Sequence, residues 1–220
     1  IQDIMRKDAG VDGDAQRLGQ LTWLLFLKIF DDREQEWELS IKRYRSPIPE
    51  ELRWRNWATD TEGLTGDKLL EFVNNRLFPA LKGLPADSSP RHRVMHDVFE
   101  DAYQYMKNGT LLRQVINRLN ESLDFNRSED RHIFGDLYEQ ILKDLQSAGN
   151  AGEYYTPRAV TQFMVDMVNP RLGEIVLDPA CGTGGFLVEA FDHLHAQVKT
   201  TDQRRTLQQG TLSGQEAKPL

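Results

Sequence analysis

The sequence has only one cysteine, Cys181, among 220 residues. One cysteine builds neither an internal disulfide framework nor a cysteine zinc site, and it favours a reducing compartment, so we expect a cytoplasmic protein. No apolar run reaches the roughly 18 residues that cross a bilayer, and no signal peptide opens the chain, so we expect no membrane partner. The run from Leu21 to Phe30 is short and contains Lys28, which predicts a buried helix.

An excess of positive charge is also lacking, because the net charge is -7. A protein that holds DNA alone is usually basic, since phosphate neutralisation dominates affinity. The chain therefore either does not bind DNA alone or uses a local basic patch. One basic cluster, interleaved with Tyr44, Trp54 and Trp57, is a candidate for contact with DNA or a partner subunit; a solvated loop pinned by tryptophans is the alternative. The cluster comprises Lys42, Arg43, Arg45, Arg53 and Arg55.

The first two thirds of the chain show apolar residues at helical spacing and no strand signal of comparable quality. Hydrophobic residues make up 39% of the sequence, which is enough for a packed core. The pattern predicts a mixed fold whose N-terminal domain, residues 1–148, is an all-α helical bundle. The predicted helical segments are 14–38, 67–78, 93–106, 111–119 and 128–146.

After Ser147 the purely helical pattern ends, and the sequence shows helix, strand and turn signals in alternation. Thr156 as N-cap and Pro157 in the first turn predict a helix, which Asn169-Pro170 ends. Residues 174–178 predict a buried parallel strand, and a glycine-rich turn and a further helix follow. Residues 149–220 are therefore predicted to begin a Rossmann-like α/β domain, with a mobile loop from Ala196 to Gly210. The helix after Pro157 carries one apolar face, which is expected to pack in the core: Val160, Phe163, Met164, Met167 and Val168.

The glycine-rich turn, Asp178 to Phe186, is the candidate ligand site because α/β sheets bind ligands at the carboxyl ends of their strands. A phosphate-binding P-loop needs a lysine that is lacking here, and a dinucleotide loop needs a third glycine where Leu187 stands. S-adenosylmethionine fits better. The Asp178 carboxylate suits its ammonium group, and N–H groups at the start of a helix suit its carboxylate.

The run Asp-Pro-Ala-Cys-Gly-Thr-Gly-Gly-Phe resembles the first S-adenosylmethionine motif of amino-methyltransferases that act on DNA. The run from Gly152 to Arg158 resembles the second cofactor motif of the modification subunits of type I restriction-modification systems, which precedes the first motif in that family. The helical half is similar to that family's N-terminal domain. The chain thus resembles the N-terminal portion of such a subunit, a DNA adenine-N6 methyltransferase.

The resemblance implies binding roles for residues of both motifs and for one further acid. An acid that ends the second strand accepts from both ribose hydroxyls, and Glu216 is the candidate. The other implied cofactor-binding residues are Glu153, Tyr154, Tyr155, Thr156, Pro157, Arg158, Asp178, Pro179, Ala180, Gly182, Thr183, Gly184, Gly185 and Phe186.

The family's catalytic Asn-Pro-Pro-Phe or Tyr motif is absent from these 220 residues and is expected beyond Leu220, so no catalytic residue is predicted within the chain. Cys181 is expected to be a packing residue and not a nucleophile. No metal site is expected, because His92 and His96 lack an evident third ligand.

The resemblance implies an assembly with double-stranded DNA, a specificity subunit, a restriction subunit and a second copy of the modification subunit. Two alternatives stay open. In the first, the chain is a non-catalytic assembly fragment that docks the specificity subunit. In the second, the cofactor is the same but the methyl acceptor is a cytosine N4 or a protein amide.

Overall fold

The computed structural model describes residues 1–122, 156–182 and 184–216. The chain divides into two compact units, Ile1–Leu137 and Tyr138–Leu220. The domain boundary predicted near residue 148 and the helix predicted over 128–146 lie outside the described residues, so both stay predictions. Within the described ranges, no helix is both long and apolar enough to span a membrane.

All regular elements in the described part of the first unit are helical, as the sequence pattern predicts. Helix α2 is its longest element and carries the run that was expected to be buried. A 3₁₀ turn at Glu50–Leu52 and a π turn at Val73–Leu77 connect shorter helices. The helices are α1 Gln2–Met5, α2 Asp14–Ser40, α3 Trp54–Trp57, α4 Gly66–Phe72, α5 Phe78–Lys82, α6 Pro90–Glu100 and α7 Gly109–Ser122.

The core of this unit forms where the apolar stripes of α2 and α7 meet the short helices between them. Trp23 and Phe78 contact edge to face at 5.1 Å, and Trp54 and Trp57 do so at 5.3 Å. Trp54 and Trp57, the two tryptophans interleaved with the basic cluster, are buried, so they are core residues. The stripe predicted on α7 is buried as expected at Leu112, Val115, Ile116 and Leu119.

The helix predicted over 93–106 is wrong at both ends. It begins at Pro90, where the Ser89 side chain accepts from the His92 N–H, and it ends at Glu100. Residues 102–108 run without helical structure, because tertiary hydrogen bonds hold their backbone. The Gln20 side chain accepts from Tyr105 N–H at 2.8 Å, and the Asp8 carboxylate accepts from Asn108 N–H at 2.8 Å.

The second unit contains a parallel pair of strands and three helices within its described part. Strand β1 pairs with β2 so that Val176 aligns with Leu212 and Asp178 with Gly214. A π turn, Leu207–Thr211, leads directly into β2. The elements are α8 Arg158–Val168, β1 Val176–Asp178, α9 Gly185–His195, α10 Thr201–Thr206 and β2 Leu212–Gly214.

Three expectations for this unit need correction. Helix α8 begins after an N-cap at Pro157, not Thr156, and no side chain caps it. Strand β1 is parallel but not buried: within the described residues it pairs with β2 alone, and Leu177 is 63% exposed. The stretch predicted as a mobile loop contains α10, which a capping box starts, with the Thr200 hydroxyl accepting from Gln203 N–H and the Gln203 side chain accepting from Thr200 N–H.

The apolar face of α8 is exposed rather than buried. Helix α8 packs on α9 through a different face, which buries Thr161 and Val165. The five residues of the predicted face are exposed by 44% to 77%: Val160, Phe163, Met164, Met167 and Val168.

An alkaline pH dependence follows from Tyr44 in the first unit. Burial and a hydrogen bond to Glu34, 2.7 Å from the Tyr44 hydroxyl, raise the pKa of this phenol above its usual value. A group with a raised folded-state pKa contributes stability that is present below its unfolded pKa, near pH 10, and is lost as pH rises toward the folded value.

We therefore expect Tyr44→Phe to lose stability less steeply than the wild type above about pH 10. The difference in slope will be below the about 1.4 kcal/mol per pH unit of one fully coupled proton, because the ring is partly exposed. Urea denaturation between pH 8 and pH 11 measures it. Tyr103→Phe is the control, since Tyr103 is 64% exposed, and it should follow the wild type. An unchanged slope in Tyr44→Phe would contradict the assignment.

Candidate cofactor site

The candidate site is the loop that joins β1 to α9. Asp178 is the last residue of β1, and its carboxylate accepts from the Ala180 N–H at 3.2 Å. Gly182 and Gly184 have φ angles of 51° and 80°, the left-handed conformation that side chains disfavour. Gly184 is the N-cap of α9, which begins at Gly185 as predicted. The glycines therefore let the chain reverse tightly between strand and helix.

The end of β2 is tied to this loop by three hydrogen bonds. Gln215 N–H donates to the Asp178 carbonyl, and Cys181 N–H donates to the Gln215 carbonyl, each at 2.9 Å. The Glu216 carboxylate accepts from Gly182 N–H at 2.8 Å. The structure thus brings the predicted ribose acid, Glu216, onto the glycine loop, although the two lie 34 residues apart in sequence.

Gly214 belongs to this arrangement and was missed by the sequence reasoning. A Cβ atom at Gly214 would lie 2.7 Å from Leu187 Cδ1 and 2.9 Å from Cys181 Sγ. A side chain at this position would therefore require Leu187 and Cys181 to shift. A glycine within a predicted strand is the signal for such an approach. The same contact places the Cys181 side chain against β2, which agrees with a packing role.

The described part of the second motif, Thr156 to Arg158, leads into α8 beside the glycine loop. Arg158 Nε donates to Glu189 Oε1 of α9 at 2.8 Å, and the Glu189 side chain is 11% exposed. Thr161 lies near Gly185, because a Cβ at Gly185 would be 3.9 Å from Thr161 Cγ2. The end of the second motif therefore lies beside α9.

Glu189 is a further residue that the sequence reasoning missed, since nothing local signals a pair 31 residues apart. It holds Arg158, a predicted cofactor-binding residue, in an ion pair within the protein. The remaining predicted residues of the two motifs lie outside the described ones and stay predictions: Glu153, Tyr154, Tyr155 and Thr183.

The histidine pair of α6 is engaged in local contacts. His92 Nδ1 lies 2.8 Å from the Ser89 hydroxyl, and His96 Nδ1 lies 3.2 Å from the Asp97 carboxylate. His96, Asp97 and Glu100 have potential ligand atoms within 4.8 Å of one another. The two carboxylates are exposed to solvent, and such acidic groups occur commonly without a metal.

Comparison with known proteins places both units in one family. The HsdM N-terminal domain family matches residues 1–119, and the N-6 DNA methylase family matches residues 129–220. The EcoEI type I restriction enzyme methylase subunit of Escherichia coli is 66% identical over the whole chain, which covers 45% of that subunit.

Two solved structures extend the similarity. A modification subunit of a putative type I restriction enzyme from Vibrio vulnificus YJ016 superposes with a TM-score of 0.86 at 46% identity, over 99% of this chain and 48% of the other. A chain from work on complex assembly and conformational transition of the type I R-M system gives a TM-score of 0.75 at 37% identity, over 99% of this chain and 44% of the other.

The chain belongs to the family of type I restriction enzyme modification, or methylase, subunits. It spans about half the length of the relatives it matches.

Proposed function

We propose that this chain is the cofactor-binding N-terminal part of a subunit that transfers a methyl group from S-adenosylmethionine to adenine N6 in double-stranded DNA. The observation that carries the proposal is the glycine loop at the end of β1 with Glu216 hydrogen-bonded to it. Two parallel strands with helices between them support an opening of a Rossmann-like sheet. We place this chemistry in the cytoplasm.

The residues at the loop fit the three polar groups of the cofactor. The Asp178 carboxylate suits the ammonium group, and N–H groups beside the left-handed glycines suit the carboxylate. Glu216 suits the ribose diol, because one carboxylate accepts two hydrogen bonds. For that role Glu216 exchanges its bond from Gly182 N–H for the ribose hydroxyls. When bound, the cofactor supplies an electrophilic methyl group on its sulfonium.

The chain's own contribution to the reaction is positioning. The Arg158–Glu189 ion pair joins the end of the second motif to α9, and Gly214 of β2 lies close to Cys181 and Leu187. We infer that both features position the predicted binding groups relative to one another. No residue of the 220 is assigned to catalysis, because no Asn-Pro-Pro-Phe or Tyr run occurs in the sequence.

A second candidate function is an assembly fragment that docks the specificity subunit without catalysis. The exposed apolar face of α8 favours it, since a face of five such residues is typical of a protein contact. A restriction subunit and a second copy of the modification subunit are the other proposed partners.

Titration calorimetry of the chain with S-adenosylmethionine tests the first function against the second. We expect saturable binding at a single site that S-adenosylhomocysteine competes for, and thermal stabilisation that rises with cofactor concentration. The variant Glu216→Gln should bind more weakly, while Glu174→Gln, an exposed acid outside the loop, should bind as the wild type does. Pull-down of a specificity subunit without any cofactor binding would favour the assembly fragment.

A further inference from the structure

The five-residue basic cluster divides into two sets in the folded chain. Arg55 lies against α2, with Nε 2.9 Å from an Asp31 oxygen and Nη1 2.8 Å from a Glu38 oxygen. Burial lowers the pKa of Arg55, but the hydrogen bonds to Glu38 and Asp31 outweigh it and raise the pKa overall. Arg53 pairs with Glu38 at 3.3 Å. These two arginines are neutralised within the first unit.

The other three cations form an exposed turn directly after α2. We call residues 41–45, which contain Lys42, Arg43 and Arg45, the basic turn. All three side chains are exposed, and within the described ranges no carboxylate pairs with them. Leu39, just before the turn, is 91% exposed. A chain of net charge -7 thus presents three uncompensated positive charges within four residues.

The basic turn is held in place by Tyr44, which lies between Arg43 and Arg45. Tyr44 packs its ring 6.0 Å from that of Trp37, and its hydroxyl bonds to the buried Glu34. The Arg91 guanidinium of α6 lies over the Trp37 ring at 4.6 Å and the Tyr44 ring at 5.5 Å, adding a fourth cation from a different helix. The charges are therefore preorganised, and binding a ligand orders little additional backbone.

Arg43 has a backbone conformation that arginine seldom adopts. Its φ angle is 62°, in the left-handed region, which costs a residue with a side chain about 1 kcal/mol. This strained residue lies between the exposed cations Lys42 and Arg45.

We propose that the basic turn and Arg91 contact the phosphate backbone of duplex DNA. The inference rests on the proposed function, since a DNA methyltransferase subunit of net negative charge needs a local positive surface to approach the duplex. Trp54 and Trp57 are buried in the core, so no tryptophan of this cluster stacks on bases. The contact therefore positions the duplex without reading its sequence.

The test compares two charge-matched triple variants of the chain. One is Lys42→Gln/Arg43→Gln/Arg45→Gln. The control is Lys7→Gln/Lys68→Gln/Lys107→Gln, three exposed lysines of the same unit outside the turn. Fluorescence anisotropy follows binding of a labelled mixed-sequence duplex from about 50 to 200 mM salt. We expect the slope of log affinity against log salt to shrink by about 3 in the turn variant, at about 0.9 per lost phosphate contact, and to stay unchanged in the control.

Three results would overturn the inference: no duplex binding by the wild type, equal slopes for the wild type and the turn variant, or an equal loss in the control. A fourth result would also overturn it: the wild type binds polyglutamate as tightly as the duplex, and the turn variant loses both. That result would point to an acidic protein partner. Cofactor calorimetry on the same samples separates the two proposals. If the wild type binds no cofactor, the proposed function fails, while the salt slopes still decide whether the basic turn contacts DNA.

Discussion

Replacement of Gly184 by aspartate is expected to abolish S-adenosylmethionine binding, with an affinity loss of more than about 100-fold, or about 2.7 kcal/mol. Two effects add. Gly184 has φ of 80°, which an aspartate adopts at a cost of about 1 kcal/mol. The added carboxylate also enters the space proposed for the cofactor carboxylate. A Cβ at Gly184 meets no protein atom within 4 Å, so the substituent does not clash with the protein itself.

Titration calorimetry measures this loss, and two further variants separate its causes. Gly184→Ala keeps the backbone strain without the charge and should lose at most about fivefold in affinity, or about 1 kcal/mol. Gly210→Asp adds the same charge at a glycine that also has open space but lies outside the loop, so its affinity should match the wild type. Normal cofactor affinity in Gly184→Asp would show that the cofactor does not bind beside Gly184.

Replacement of Arg113 by methionine should lower the free energy of unfolding of the first unit by about 3 to 5 kcal/mol. Arg113 is 4% exposed and donates to the carbonyls of Trp57, Ala58, Asp60 and Leu64 at 2.6 to 3.3 Å. Burial lowers the pKa of this guanidinium. Methionine keeps the length of the side chain but removes all four hydrogen bonds, two of which go to the buried carbonyls of Trp57 and Ala58.

Urea denaturation followed by tryptophan fluorescence tests this expectation, since all four tryptophans lie in the first unit. Arg118→Met is the matched control on the same helix. Arg118 is exposed and pairs with the exposed Glu121, so its loss should cost less than about 1 kcal/mol. Similar midpoints for the two variants would show that Arg113 does not anchor the segment from Trp57 to Leu64.

The elements that the sequence predicts well are those that local spacing determines. The stripe of α7 follows helical periodicity and is buried at Leu112, Val115, Ile116 and Leu119, whereas the stripe of α2 is buried at Leu21 and Leu25 and only partly buried at Leu18 and Ile29. The glycine loop was recognisable because a sharp turn from strand to helix needs left-handed residues, and Gly182 and Gly184 supply them. Helix α10 was missed although its capping box from Thr200 to Gln203 was present in the sequence.

Other expectations failed because distant residues decide them. The backbone of residues 102–108 leaves the helix for bonds to Asp8 and Gln20, which lie 85 to 100 residues earlier. The apolar face of α8 was expected to mark its packing side, yet the helix packs through Thr161 and Val165. Helical periodicity in the sequence identifies an apolar face but does not predict which part of the protein packs against it.

The family, the helical character of the first unit and the position of the glycine loop were predictable from the sequence, because each depends on residues close together in the chain. Which charged side chains stay exposed depends on the folded chain. It neutralises Arg53 and Arg55 against α2, leaves the basic turn exposed, and brings Glu189 to Arg158 and Glu216 to Gly182. These pairings join residues 15 to 34 positions apart, and only the folded backbone brings such residues within hydrogen-bond distance.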